Sequence, residues 1–206
     1  MQPKSLRSIL AFPCIFILFV TASSYSRAQA PDQHLANKNL PALNTFVKEL
    51  RNGQSNEVRG VYIPEIMAAP VIHQPEGNNH FVSSVKNTVT QFDLASQFGS
   101  AGFLAHNYLA GQSFSLLEIN QIFYLIYGDG QTSMLVVTEI LRYQALEPTS
   151  TFSEFVDLQN NHHMTTAETF SKVYDRPGQI ILQTCIAVGD ASSWGRLFVI
   201  AEPFSG

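Results

Sequence analysis

The chemistry this chain can do is concentrated near its C-terminus, in the stretch 178–201, GQIILQTCIAVGDASSWGRLFVIA. It holds one thiol, Cys185, and one guanidinium, Arg196. A thiol attacks carbonyl carbon only as thiolate, and a nearby cation favours that form. The same cation can hold the oxyanion that develops on the attacked carbonyl. To cooperate, the two groups must be brought to one face of one sheet. The apolar runs Ile180–Leu182 and Leu197–Ala201 read as strands, with Cys185 closing the first and Arg196 opening the second. The turn-rich loop between them carries Gly189, Asp190, Ser192, Ser193 and Gly195. Alternation puts Ile181, Gln183 and Cys185 on one face of the first strand, and Arg196, Phe198 and Ile200 on one face of the second. Taken alone, the two residues also fit a plainer reading. A lone Cys at a strand end is commonly a small buried hydrophobe, and a strand-opening Arg is commonly a solvated charge.

The N-terminus bears on which reading holds. Lys4 and Arg7 precede an apolar run from Ile9 to Ala22, and Ala28-Gln29-Ala30 is a small-x-small cleavage site. This is the build of a secretory signal peptide over residues 1–30, with an apolar run shorter than the roughly 20 residues a spanning helix needs. The expectation is export and cleavage near Pro31; an uncleaved segment would instead associate the protein with the membrane. Cleavage removes Cys14 and leaves Cys185 as the one remaining thiol of the 2 cysteines. An unpaired thiol in an exported chain calls for an intermolecular partner or a reactive role. Cleavage also removes Lys4, Arg7 and Arg27, leaving 9 basic against 16 acidic residues, a net charge of −7 with neutral histidines. With no basic tract, nucleic acid is not an expected partner.

Residues 31–57 are polar. Leu40, Leu43, Phe46, Val47 and Leu50 recur at helical spacing there, which predicts one short amphipathic helix. From residue 58 to 206 the texture is that of one domain of short strands. Val61–Pro64 and Pro70–Ile72 are interrupted by prolines, suiting edge strands or bends. Phe98–Asn107 reads as a Gly-punctuated strand ending in His106-Asn107. Ile122–Tyr127 is a strand before a Gly128-Asp129-Gly130 turn, with Met134–Leu141 as its hairpin partner and 142–146 as an extension. In the connection 146–178, Phe152, Phe155 and Val156 suggest a helical turn or two. Thr165–Val173 suggests a second helix, capped by Thr165 or Thr166, with Glu168 near its start. A connection of this length is a candidate wall of a substrate groove. The fold class expected is all-β: a closed or nearly closed barrel of about eight strands, with short helices in the connections.

The string Ile181-Leu182-Gln183-Thr184-Cys185, followed by Arg196, resembles the signature strand and arginine of the sortases, the cysteine transpeptidases that cut a sorting signal and join it to an amine. Their pattern reads Thr-Leu-x-Thr-Cys, so the chain matches at Leu182, Thr184 and Cys185 and departs at Ile181. Sortases also carry a histidine well before the cysteine, often as Gly-His, and then a Gly-Asp turn. Here Leu104-Ala105-His106-Asn107 and Gly128-Asp129-Gly130 stand in that order, with Ala105 in place of the usual glycine. The resemblance covers about Arg59 to Pro203. It implies Cys185 as nucleophile, His106 as proton donor and acceptor, and Arg196 as holder of the oxyanion or the substrate backbone. Asn107, Thr184 and Trp194 are expected around the substrate groove, Thr184 also shaping the strand at Cys185, while Trp194 fits a groove wall or a core anchor equally well.

By the same resemblance the partners are exported proteins bearing a Leu-Pro-x-Thr-Gly-like signal and an amine acceptor, a cell-wall precursor or pilin, at the cell surface. Two alternatives stay open: a secreted cysteine endopeptidase with water as acceptor, and a catalytically silent barrel that only binds peptides. No cofactor is implied. The adjacent His162 and His163 point to different faces of any regular element and have no second cysteine to join them, so a solvated pair is expected there rather than a metal site.

Overall fold

The computed structural model describes residues 40–205; the expected signal peptide and cleavage site lie outside them. In chain order the elements are α1 (Leu43–Leu50), β1 (Val58–Ile63), β2 (Met67–His73), β3 (Val89–Phe92), α2 (Asp93–Ser96), β4 (Ala101–Leu104), α3 (Gly111–Phe114), β5 (Ile122–Tyr127) and β6 (Thr132–Ala145). They continue with β7 (Phe155–Asp157), β8 (His163–Met164), α4 (Thr166–Tyr174), β9 (Ile180–Val188) and β10 (Ala191–Pro203). The strands hydrogen-bond in the order β10-β9-β4-β3-β2-β1-β5-β6, and β6 pairs back with β10. That pairing closes a ring of eight strands, as the fold class expected, and removes the sheet edges that an open sheet would present. β7 and β8 continue the sheet outward from β6. The pairs β2–β3 and β4–β9 are parallel.

Two apolar cores sit on the two faces of this wall. Inside the ring, Val61, Ala69, Val89, Phe103, Phe123, Leu135, Leu182 and Val199 come one from each strand. Outside, Tyr143, Phe155, Met164, Val173, Tyr174, Ile181, Phe198 and Ile200 form a second cluster under α4 and β7–β8. β9 and β10 therefore bury both faces along part of their length, which is why their sequences read as nearly continuous apolar runs instead of clean alternation. Register on β6 and β10 is corrected by a bulge, because Ile200 pairs with Glu139 but Ala201 with Val137. The extra residue, Thr138, lets Leu135 and Val137 face inward while Leu141 and Tyr143 face outward. Packed outside β1 and β5, α1 seats Phe46 beside Ala68 and Ile126.

Four local expectations are corrected. Pro70 lies on no edge: β2 sits between β1 and β3, and Pro70 marks where pairing with β1 at Gly60 gives way to pairing with β3 at Val71–Val89. The missing N–H falls at that handover, where it costs the ladder least. β4 covers only Ala101–Leu104, because Gly99 adopts φ +77° in a turn after α2 and breaks any earlier strand. The region around Phe155 is strand, not helix: Tyr143, Gln144 and Ala145 of the overlong β6 offer it a ready partner. Finally, β9 and β10 run on past Cys185 and before Arg196, so the loop joining them shrinks to Gly189-Asp190. The helix expected at Thr165–Val173 forms as α4. Its Thr165 hydroxyl accepts from the Glu168 N–H (3.2 Å), while the Glu168 carboxylate accepts from the Thr165 N–H (2.8 Å).

Candidate active site

Pairing across three strands determines what meets at Cys185. In the antiparallel β9–β10 ladder Cys185 stands directly opposite Arg196, and directly opposed residues share a face. Leu182 and Leu197 point into the ring whereas Ile181 and Phe198 belong to the outer cluster, so Cys185 and Arg196 lie on the outer face. On the other side of β9, the parallel ladder pairs Leu104 of β4 with Gln183. The Ala105 N–H still donates to the Gln183 carbonyl at 3.1 Å, which carries the register one residue further, to Ala105 beside Thr184; His106 follows next, beyond the end of β4. Phe103 and Ala105 face inward, and His106 opens the turn that follows, half-buried. Cys185 and Arg196 thus form one transverse row on the outside of the barrel wall, with His106 just past the end of the neighbouring β4, each half-buried. The row continues through Tyr143 opposite Arg196 and Asp157 opposite Tyr143.

The guanidinium of Arg196 is fixed by backbone. Nη1 donates to the carbonyls of Ser193 (2.8 Å) and Gly195 (2.9 Å), and Nη2 to that of Pro148 (3.2 Å). Ser193 lies in a wide bulge, since Ala191 pairs with Val188 and the next pair is Gly195 with Ile186. Without those extra residues the carbonyls could not curl back to the arginine. An arginine has five N–H donors. Among the described residues these contacts occupy three and leave the Nε–H and one Nη2–H for an incoming anion or carbonyl.

His106 sits at the start of a tight turn. Its carbonyl accepts from the N–H groups of Leu109 (2.9 Å) and Gly111 (3.0 Å). Gly111 permits that closure, because a Cβ there would meet the Ala105 and His106 carbonyl oxygens at 2.7 Å as well as the Thr184 hydroxyl. Asn107 takes part by tethering: its Nδ2 donates to the Ser192 carbonyl at 2.7 Å, tying the histidine loop to the β9–β10 bulge. Thr184 lines no groove. It is 3% exposed on the inner face and its hydroxyl donates to the Ala105 carbonyl at 2.8 Å, so it locks β9 to the end of β4 from inside. Trp194 is half-buried in the bulge beside Arg196. His162 is exposed on the β7–β8 connection and His163, also exposed, opens β8 opposite Val156.

Sequence reasoning passed over several contributors. Tyr108 stacks on the His106 ring, with centroids 5.1 Å apart and planes 20° from parallel; its place two residues after the histidine was the available signal. Pro148 and Ser193 act through backbone carbonyls, which no side-chain pattern reveals. Gln183 is hydrogen-bonded by the hydroxyl of the fully buried Tyr174, whose burial pushes that phenol well above its ordinary range.

The closed eight-stranded barrel with its parallel β4–β9 pair has a sortase-like fold, as its match to a solved sortase structure shows. No family model and no curated protein matches the chain. Among solved structures it is similar to sortase C-1 from Actinomyces oris at 17% identity and TM-score 0.50, over 81% of this chain and 83% of that one. It is also similar to sortase C1 from Streptococcus suis, at 16% identity and TM-score 0.49 over 80% and 79% of the two chains. No helix among the described residues is long and apolar enough to cross a membrane.

Proposed function

We propose that the protein is a sortase-type cysteine transpeptidase acting on exported proteins at the cell surface, with Cys185, His106 and Arg196 as its catalytic residues. The observation that supports this reading is the Cys185–Arg196 pairing on the outer face of β9 and β10, with His106 in the loop that directly follows β4, the strand paired with β9. The Cys185 thiolate attacks the carbonyl carbon of the scissile peptide bond, forming a C–S bond and an oxyanion. The free N–H groups of Arg196 receive that oxyanion. As the C–N bond breaks, the departing amine takes a proton from His106 and leaves a thioester on Cys185. An incoming amine then gives a proton to His106, attacks the thioester, forms a new amide and expels the Cys185 thiolate. Bonds and protons balance over the two half-reactions, and no cofactor enters.

The substrate class that fits is an extended peptide of the Leu-Pro-x-Thr-Gly kind laid along the outer wall, with a cell-wall or pilin amine as acceptor. Mass analysis of a Leu-Pro-Ala-Thr-Gly peptide incubated with the protein, with and without triglycine, tests it. Cleavage after Thr with product joined to triglycine is expected. Cleavage to the free acid in both reactions would make the protein an endopeptidase instead. A Cys185→Ala variant that still cleaves would overturn the mechanism.

A further inference from the structure

The backbone around His106 is well held but its ring is not. Hydrogen bonds fix the Ala105 N–H, the His106 carbonyl and the Asn107 side chain. None reaches the imidazole among the described residues. Tyr108 stacks on the ring in the near-parallel arrangement already described. Tyr108 is 61% exposed, so burial in a core does not account for the placement of a large aromatic side chain there. The loop geometry does. The His106–Leu109 turn and the Gly111 closure bring residue 108 back over residue 106, and the ring covers one face of the imidazole.

Resting on the catalytic reading above, we propose that Tyr108 is a positioning residue for His106: its ring selects the imidazole rotamer that serves Cys185. An offset-stacked aromatic pair favours one arrangement by roughly two- to tenfold. That is enough to govern a side chain with no competing hydrogen bond. The ring is the working part, so the phenolic hydroxyl is dispensable.

The test uses iodoacetamide and needs no knowledge of the substrate. The alkylation rate at Cys185, followed by mass analysis of the peptide that contains it, is measured near pH 7 in the wild type, His106→Ala, Tyr108→Ala and Tyr108→Phe. His106→Ala is expected to change the rate, because an imidazole beside a thiol alters its thiolate fraction. Tyr108→Ala is expected to move the rate two- to tenfold towards that of His106→Ala, and Tyr108→Phe to restore the wild-type rate. If His106→Ala reacts as the wild type does, the catalytic pairing fails and the inference falls with it. If His106→Ala differs while Tyr108→Ala matches the wild type, the pairing stands and the positioning role is refuted. Because Tyr108 is mostly exposed, its variants should keep the wild-type melting temperature. A Tyr108→Phe rate as altered as that of Tyr108→Ala would also refute the role, since the ring alone would then not suffice.

Discussion

Arg196 shows why a charge count is a poor guide to what a side chain can do. Its three contacts to backbone carbonyls depend on a planar fork that holds several donors at fixed angles. Lysine supplies the charge on a single flexible point and cannot span Ser193, Gly195 and Pro148 together. Arg196→Lys should therefore recover only part of the peptide-cleavage rate that Arg196→Ala loses, as kcat/KM for the two variants will show. Equal rates for arginine and lysine would mean that charge alone matters there. A second residue-scale prediction concerns Glu57. Its carboxylate accepts from Asn52 (2.6 Å) and Arg59 (2.8 Å) and lies 3.3 Å from His73. The Asn52 hydrogen bond first, and Arg59 next, hold its carboxyl below the ordinary value of 4.5. A depressed folded-state pKa contributes stability that is fully present above the unfolded value and is lost as pH falls through the folded one. Melting temperature should thus drop on acidification below about pH 4.5, and drop less steeply in Glu57→Gln. Parallel curves for the two proteins would remove Glu57 from the account of acid sensitivity.

At the scale of elements, short segments are stabilised by what they lean on. α4 has 9 residues, too few to persist alone in water; its capping box and the outer cluster hold it. Thr165→Ala removes one half of the box and should cost about 1 kcal/mol, a fall in melting temperature of roughly 2–4 °C for a domain of this size. Calorimetry checks it, and an unchanged melting temperature would place the helix's stability wholly in Val173 and Tyr174. β7 and β8 make the converse point. Phe152, Phe155 and Val156 read as helical in isolation, yet β6 is 14 residues long, outruns β5, and leaves a free ladder that only a strand can fill. The helical spacing gives way to an available partner, and the strand preference of Phe155 and Val156 agrees with it. The site depends on the same kind of fit, since the 192–194 bulge supplies the carbonyls that hold both Asn107 and Arg196.

For the whole molecule, the β6–β10 pairing turns a sheet into a barrel and gives β9 an apolar layer on each side. Leu182, fully buried within the ring, belongs to the strand that carries Cys185. Leu182→Ala should cost about 2–5 kcal/mol in denaturant unfolding, because removed methyl groups leave a cavity that a closed barrel cannot collapse. A loss below about 1 kcal/mol would show the wall to be more yielding than its packing implies. Much of this architecture was legible in the residues. Strand texture, the Gly128–Gly130 turn, the α4 capping box and the alternation that puts Cys185 with Ile181 and Arg196 with Phe198 are local properties, set by side-chain period and turn chemistry. The outward orientation of the row was not legible. It depends on which apolar face closes into the ring, and β9 and β10 are apolar on both. Nor could the sequence show that the loop carrying His106 begins beside β9, the strand that carries Cys185. That follows from a parallel ladder between segments some 80 residues apart, whose register is fixed by core packing and by the Thr184 hydroxyl on the Ala105 carbonyl. Residue types determined what chemistry was available; long-range register, which no local pattern encodes, decided which groups meet.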